Sequence, residues 1–170
     1  MQRVTTEIPD VILIKPNVHY DDRGSFFESY NANDLNKALN RDVTFAQDNH
    51  SVSKKNVLRG MHYQMEPMAQ CKLVRVVVGS VYDVALDIRT SSDTYGKWVA
   101  KILSAENNHQ LWIPEGFAHG FLTLSDEAHV IYKVTNYYSV QHERTIKYND
   151  TRFNISWTSD DIITSKKDSC

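Results

Sequence analysis

Along the chain, short runs of β-branched and aromatic residues recur with turn-forming residues between them, the pattern of strands rather than of helices. The runs predict strands over residues 11–14, 25–29, 43–49, 57–64, 72–78, 81–88, 97–103, 110–113, 119–124 and 129–138. Between KLVRVVV and VYDVALDI, Gly79-Ser80 reads as a two-residue hairpin loop, and Asn107-Asn108 and Pro114-Glu115-Gly116 mark two further turns. Strands at this spacing predict an all-β fold that closes into a small antiparallel barrel. Helix is scarce. An Asn cap ahead of Leu35 and Leu39, at i and i+4, predicts one short helix over 33–39, and a second turn of helix falls over 141–145. No repeat, low-complexity tract or linker divides the chain, so residues 1–170 are expected to form a single domain.

The 41% of hydrophobic residues in 170 can bury a real core. Nineteen Lys and Arg against twenty-one Asp and Glu leave a formal charge of -2, which excludes the broad basic field of a non-specific nucleic-acid binder. A small anion held by local Arg and Lys remains compatible with that balance. The first twenty residues hold only the apolar run 11–14, broken by Pro9 and Pro16, and no later stretch approaches the roughly 18 apolar residues of a membrane span. Cys71 and Cys170 form no CxxC framework. The expectation is a cytoplasmic chain with reduced thiols, no membrane and no nucleic acid.

Seven histidines raise the question of a metal. A metal site in a β-barrel needs two histidines at i and i+2, a carboxylate and a third histidine. Here His62 is followed at i+2 by Gln64, and His119 is isolated in PEGFAHG, so no metal is expected. His62 nevertheless sits among Arg59, Tyr63 and Gln64 just after Gly60, a polar setting for a core histidine. Tyr132 and Tyr138, six positions apart, share one face of the predicted strand and lie at most about 20 Å apart. That is the span of an extended nucleotide sugar, although aromatic residues also simply pack strands. Lys72 shares a face with Val74, Val76 and Val78, and Asp83 with Ala85 and Asp87. Charges on an apolar face must be paired or used, so Lys72 is half of an ion pair or an electrophile that stabilises an enolate. Gln47 and Asn49 share a strand face and either bind a ligand or meet water. Arg23 and Glu28, beside a turn, are ambiguous on their own.

Read together, DDRGSFFESY, QDNHS, VLRGMHYQ, KLVRVVVGSVYDVALDIR, LSAEN, LWIPEGFAHGFLTLS and YKVTNYYS resemble, in this order, the dTDP-4-dehydrorhamnose 3,5-epimerases, from about residue 8 to residue 168. The resemblance implies a cupin-type antiparallel β-barrel, or jelly roll, with a few short helices, forming a homodimer with neither metal nor organic cofactor. It implies an isomerase that takes dTDP-4-dehydro-6-deoxy-D-glucose to dTDP-4-dehydro-L-rhamnose by inverting C3 and C5. Carried over residue by residue, it makes His62 the general base, Tyr132 the general acid, Lys72 the support for the enolate and Asp168 the partner that orients His62 and raises its basicity. Arg23, Phe26, Glu28, Gln47, Asp48, Asn49, Arg59, Lys72, His119, Glu143 and Lys167 would contact the nucleotide sugar, and Tyr138 would stack on the thymine. The segment 23–28 would cross to the partner subunit, so that each site is shared. The chain departs from the family pattern at Thr158, where proline commonly follows Trp157, and Asp168 is expected near a mobile end. With a free imidazole pKa near 6.5, activity is expected to fall below about pH 6. Competing readings are an epimerase that inverts one centre or uses another sugar, a non-catalytic sugar-nucleotide-binding barrel, and a metal-dependent cupin oxygenase.

Overall fold

The computed structural model describes residues 1–169; the reading of Cys170 as a free thiol lies outside them. One sheet is ordered β1 (Gln2–Thr5), β2 (Ile12–Lys15), β10 (Gln110–Ile113), β7 (Lys72–Val78), β12 (Glu127–Val134) and β5 (Gln47–Lys54). The other is ordered β13 (Glu143–Thr145), β6 (Leu58–Gln64), β11 (Phe117–Thr123), β8 (Ser80–Asp87) and β9 (Trp98–Ser104). All pairings within both are antiparallel. Between the sheets lies a core of Val74, Val76, Val81, Leu103, Leu111, Phe121 and Val130 with their neighbours. Two facing antiparallel sheets whose strands alternate between layers form the jelly roll of cupin-type proteins.

Part of each sheet is also covered on its outer face, which is why β8 and β11 are buried on both sides along most of their length. Over the first sheet lies α1 (Ala32–Leu39), placing Leu35 against Ile12, Ile14, Leu73 and Trp112. Its cap is Asn31, whose side chain accepts from the Asp34 amide at 3.3 Å, and it ends at Asn40 in the left-handed region, φ 51°. Over the second sheet, Phe153, Ile155 and Trp157 pack on Met61, Val84, Leu86 and Ala118. β11 consequently has all seven residues buried.

Several expected elements move. The strand expected over 25–29 is a small exposed hairpin of β3 (His19–Asp21) and β4 (Gly24–Phe26). Residues 43–45 do not join the ladder, because Val43 and Phe45 turn toward the α1 cluster, and the named strand runs instead over Gln47–Lys54. β12 ends at Val134, four residues before Tyr138. Beyond it the Gln64 side chain takes over as partner, donating to the Tyr137 carbonyl at 3.1 Å and accepting from the Ser139 amide at 2.7 Å. In place of the helical turn over 141–145 stands β13, an edge strand that pairs Glu143 with Gln64. The sequence reading also missed β1, β3 and α2 (Lys166–Ser169).

Gly79-Ser80 is not a hairpin loop. β7 and β8 belong to different sheets, and the glycine is the corner between them, with φ +73° and room for no Cβ, which would lie 2.0 Å from the Glu127 carbonyl oxygen. The turns at Asn107-Asn108 and Pro114-Gly116 likewise pass from one sheet to the other.

Candidate active site

The inner ends of β5, β6, β12 and β13 enclose a cavity of about 220 Å3 lined by Gln47, Asn49, His62, Gln64, Tyr132 and Glu143, with Tyr63, Gln70 and Tyr138 completing the wall. His62 stands on β6 directly across the ladder from His119 of β11. The two backbones approach closely there. Gly60 has φ +133°, and a Cβ on it would lie 2.4 Å from the Gly120 Cα. Only glycine lets β6 pass β11 at this separation, and the pass aims His62 into the cavity.

Asp168 reaches His62 from α2. Its Oδ1 lies 2.5 Å from His62 Nε2, and its carboxyl group is 4% exposed against 28% for the imidazole. The segment expected near a mobile end forms a short helix that brings Asp168 to His62 and Lys167 to Glu143. A carboxylate only accepts, so Nε2 carries the proton and Nδ1 keeps its lone pair. Burial pushes the His62 pKa below its ordinary value. Asp168 pulls it upward, and the positive charges of Lys72 and Lys167 act with burial. The expected rise in basicity from Asp168 is present but is outweighed by desolvation.

Lys72 lies behind the cavity wall, nearly buried, and its Nζ donates to the His62 carbonyl at 3.2 Å. Burial lowers its pKa to about 8, opposed by the negative charges of Asp83 and Glu143. Tyr132 is shifted the other way: burial raises its phenol above the usual value, offset in part by Arg59. Across the cavity, Glu143 accepts from the Tyr138 hydroxyl at 2.7 Å and pairs with Lys167 Nζ at 2.5 Å. Burial works against the Glu143 carboxylate, yet the bonds from Lys167 and Tyr138 outweigh it and the pKa lies below the usual range. Gln47 and Asn49 are joined at 2.8 Å on the face of β5 that lines the cavity.

Other expected residues stand apart. Asp48 points to the opposite face of β5, paired with Lys133 at 2.9 Å, and does not line the cavity. Arg59 bonds across to β5, at 2.9 Å to Ser53 Oγ and 3.1 Å to the Val52 carbonyl. His119 is buried with Nε2 at 3.1 and 3.0 Å from the two oxygens of Asp83, beneath the cavity rather than in its lining. Arg23 and Phe26 belong to the exposed β3–β4 hairpin; Arg23 is 90% exposed and bonded to Asp21, and Phe26 is 72% exposed. Glu28 accepts from Asn31 at 3.3 Å. None of these three reaches the cavity of its own chain. Among the described residues, no three His, Cys, Asp or Glu are placed to hold a metal ion together. The residues missed from the sequence are Tyr63, Gln64 and Gln70 in the lining, the first two noted only as flanks of His62, and Asp83 as the partner of His119. Asp83 carried a signal, a charge on an apolar strand face; Gln70 carried none.

An imidazole–carboxylate pair in the same pocket as a buried phenol, on a cupin-type scaffold, places the protein in the class of cupin-type isomerases. The family model for dTDP-4-dehydrorhamnose 3,5-epimerase matches residues 5–170, and the chain belongs to this family. It is 57% identical over 99% of its length to the dTDP-4-dehydrorhamnose 3,5-epimerase of Shigella flexneri, covering 93% of that protein. Among solved structures it resembles the 3,5-epimerase of Legionella pneumophila in complex with dTDP-4-keto-L-rhamnose, with TM-score 0.95 and 45% identity over 98% of this chain and 89% of that one. A 3'-monoepimerase of Streptomyces bikiniensis in complex with dTDP-quinovose is more distant, with TM-score 0.89 and 31% identity over 96% and 83% of the two chains.

Proposed function

We propose that the protein inverts both C3 and C5 of dTDP-4-dehydro-6-deoxy-D-glucose to give dTDP-4-dehydro-L-rhamnose, with His62 as base and Tyr132 as acid. The observation that carries this reading is the 2.5 Å contact of His62 with Asp168 in a cavity that Tyr132 also lines. C3 and C5 both flank the C4 ketone, so loss of either proton places the charge on one oxygen, and one base can serve both centres. The His62 Nδ1 lone pair takes the proton while Asp168 holds the ring and balances the imidazolium. Lys72, charged below about pH 8, favours the enolate through its positive field from behind the cavity wall, where its Nζ bonds the His62 carbonyl. Tyr132, whose raised pKa keeps its proton in place, delivers a proton to the opposite face.

The single-chain cavity is smaller than the roughly 300–1,000 Å3 usual for small-ligand sites. This supports a homodimer in which the β3–β4 hairpin, with exposed Tyr20 and Phe26, brings Arg23, Phe26 and Glu28 to the partner's site. Residues 1–170 then act as one domain per subunit. Among the described residues no helix is long and apolar enough to cross a membrane. Cys71 is a free thiol, which supports a cytoplasmic setting.

Incubation with the substrate in deuterated water tests the reading. Wild type should place deuterium at C3 and C5, His62→Asn at neither, and Tyr132→Phe should exchange protons faster than it inverts centres. Label at one carbon in the wild type would make the protein a monoepimerase, and no label at all would leave only a binding protein. Exchange retained by His62→Asn would move the base elsewhere.

A further inference from the structure

The outer face of the β5–β12 pair, opposite Asn49 and Tyr132, carries a cluster that the epimerase chemistry does not use. His50 pairs with Ile131 and His129 with Val52, so the two imidazoles stand diagonally across the ladder. His50 Nε2 and His129 Nδ1 are 3.2 Å apart, and the other nitrogen of His129, Nε2, lies 3.1 Å from Glu127 Oε1. The site faces water: His50 is exposed, and the side chains of His129 and Glu127 are 27% and 56% exposed. A glutamate only accepts, so His129 carries its proton on Nε2 and presents a bare lone pair at Nδ1. His50 then donates from Nε2.

Two imidazole nitrogens bound to one tetrahedral Zn2+ at about 2.0–2.1 Å stand about 3.4 Å from each other. The separation found here is already close to that value. A carboxylate on the far nitrogen of a ligating histidine is the usual outer partner that fixes its tautomer and orientation. The geometry points to a surface site for a late first-row divalent cation, Zn2+, Ni2+ or Cu2+, held by His50 Nε2 and His129 Nδ1, oriented by Glu127 and completed by water. On binding, each ring turns by about 35° so that both lone pairs meet the ion. The proton of His50 moves from Nε2 to Nδ1, so neutral rings release none. The ion would clamp β5 to β12 from outside, away from the reacting atoms.

Calorimetric titration of the untagged full-length protein with Zn2+ tests the site. The wild type is expected to bind an ion that neither His50→Ala nor His129→Ala binds, and Glu127→Gln is expected to weaken that binding about 10-fold. Cu2+ at the same site should show two nitrogen ligands by electron paramagnetic resonance. The His50→Ala protein should keep its circular dichroism spectrum and its metal-free epimerase activity, which separates loss of ligands from loss of fold. Equal stoichiometry and affinity in wild type, His50→Ala and His129→Ala, or no saturable binding at millimolar Zn2+, would overturn the proposal.

Discussion

Burial holds His62 neutral to a lower pH than a free imidazole, and it brings Lys72 down to about 8, so the two groups bracket a working range. The base is lost only as pH falls through a His62 pKa lying below 6.5; the cation is lost as pH rises through that of Lys72. kcat/KM measured between about pH 5 and pH 9 should therefore be bell-shaped. An acid limb above pH 6.5 would contradict the burial argument, and a rate still flat well above pH 8 would remove the charge on Lys72 from the mechanism. Asp168→Asn takes away the group that raises the His62 pKa, so its acid limb should move lower. The same variant should lose on the order of 100-fold in kcat, because the ring is no longer held in its reactive tautomer. His62, Lys72 and Tyr132 stood out in the sequence for three different reasons: His62 for the polar residues around it, Lys72 as a charge on an apolar strand face, and Tyr132 for its six-residue spacing from Tyr138. Asp168 was not legible from pattern, since a contact across 106 positions has no local signature. Its role came from family resemblance alone.

β6 and β11 meet at two glycines, and that crossing decides where His62 points. Gly60→Ala would bring a Cβ within 2.4 Å of the Gly120 Cα and 2.8 Å of the His119 carbonyl oxygen, at a φ that side chains rarely adopt. The variant should lose at least about 2 kcal/mol in urea unfolding, and should lose activity at temperatures where it is still folded. Wild-type stability in this variant would show that the strands can part without cost. The central strands were read from the sequence, but the exposed or peripheral β1, β3 and β13 were not, and neither was strand partnership. Gly79-Ser80 has the composition of a tight hairpin, yet the residues that reject a Cβ there, Ser125 and Glu127, lie far along the chain. Turn chemistry reports local backbone shape and is silent about which sheet the next strand joins. In the same way Tyr138 was placed on β12 by its six-residue spacing from Tyr132, whereas Gln64 ends the ladder by capturing the Tyr137 carbonyl and the Ser139 amide. Both tyrosines still line one cavity, for a reason the spacing did not contain.

A site completed by a neighbouring subunit has an arithmetic of its own. If the β3–β4 hairpin serves the partner, His62→Asn and Arg23→Ala damage different halves of each site. Each variant alone should be nearly inactive. An equal mixture, unfolded and refolded together, should recover roughly a quarter of wild-type activity, since half the dimers are mixed and each of those keeps one intact site. Recovery no greater than the sum of the two variants would mean that each chain works alone. β11, meanwhile, runs between β6 and β8 with no side chain open to water. Its amides are bonded on both sides and lie under covering layers, so they exchange with solvent only when the entire structure opens. Their exchange rate is an internal gauge of total stability, and its slowing on addition of a nucleotide sugar would read out binding strength without any assay of turnover.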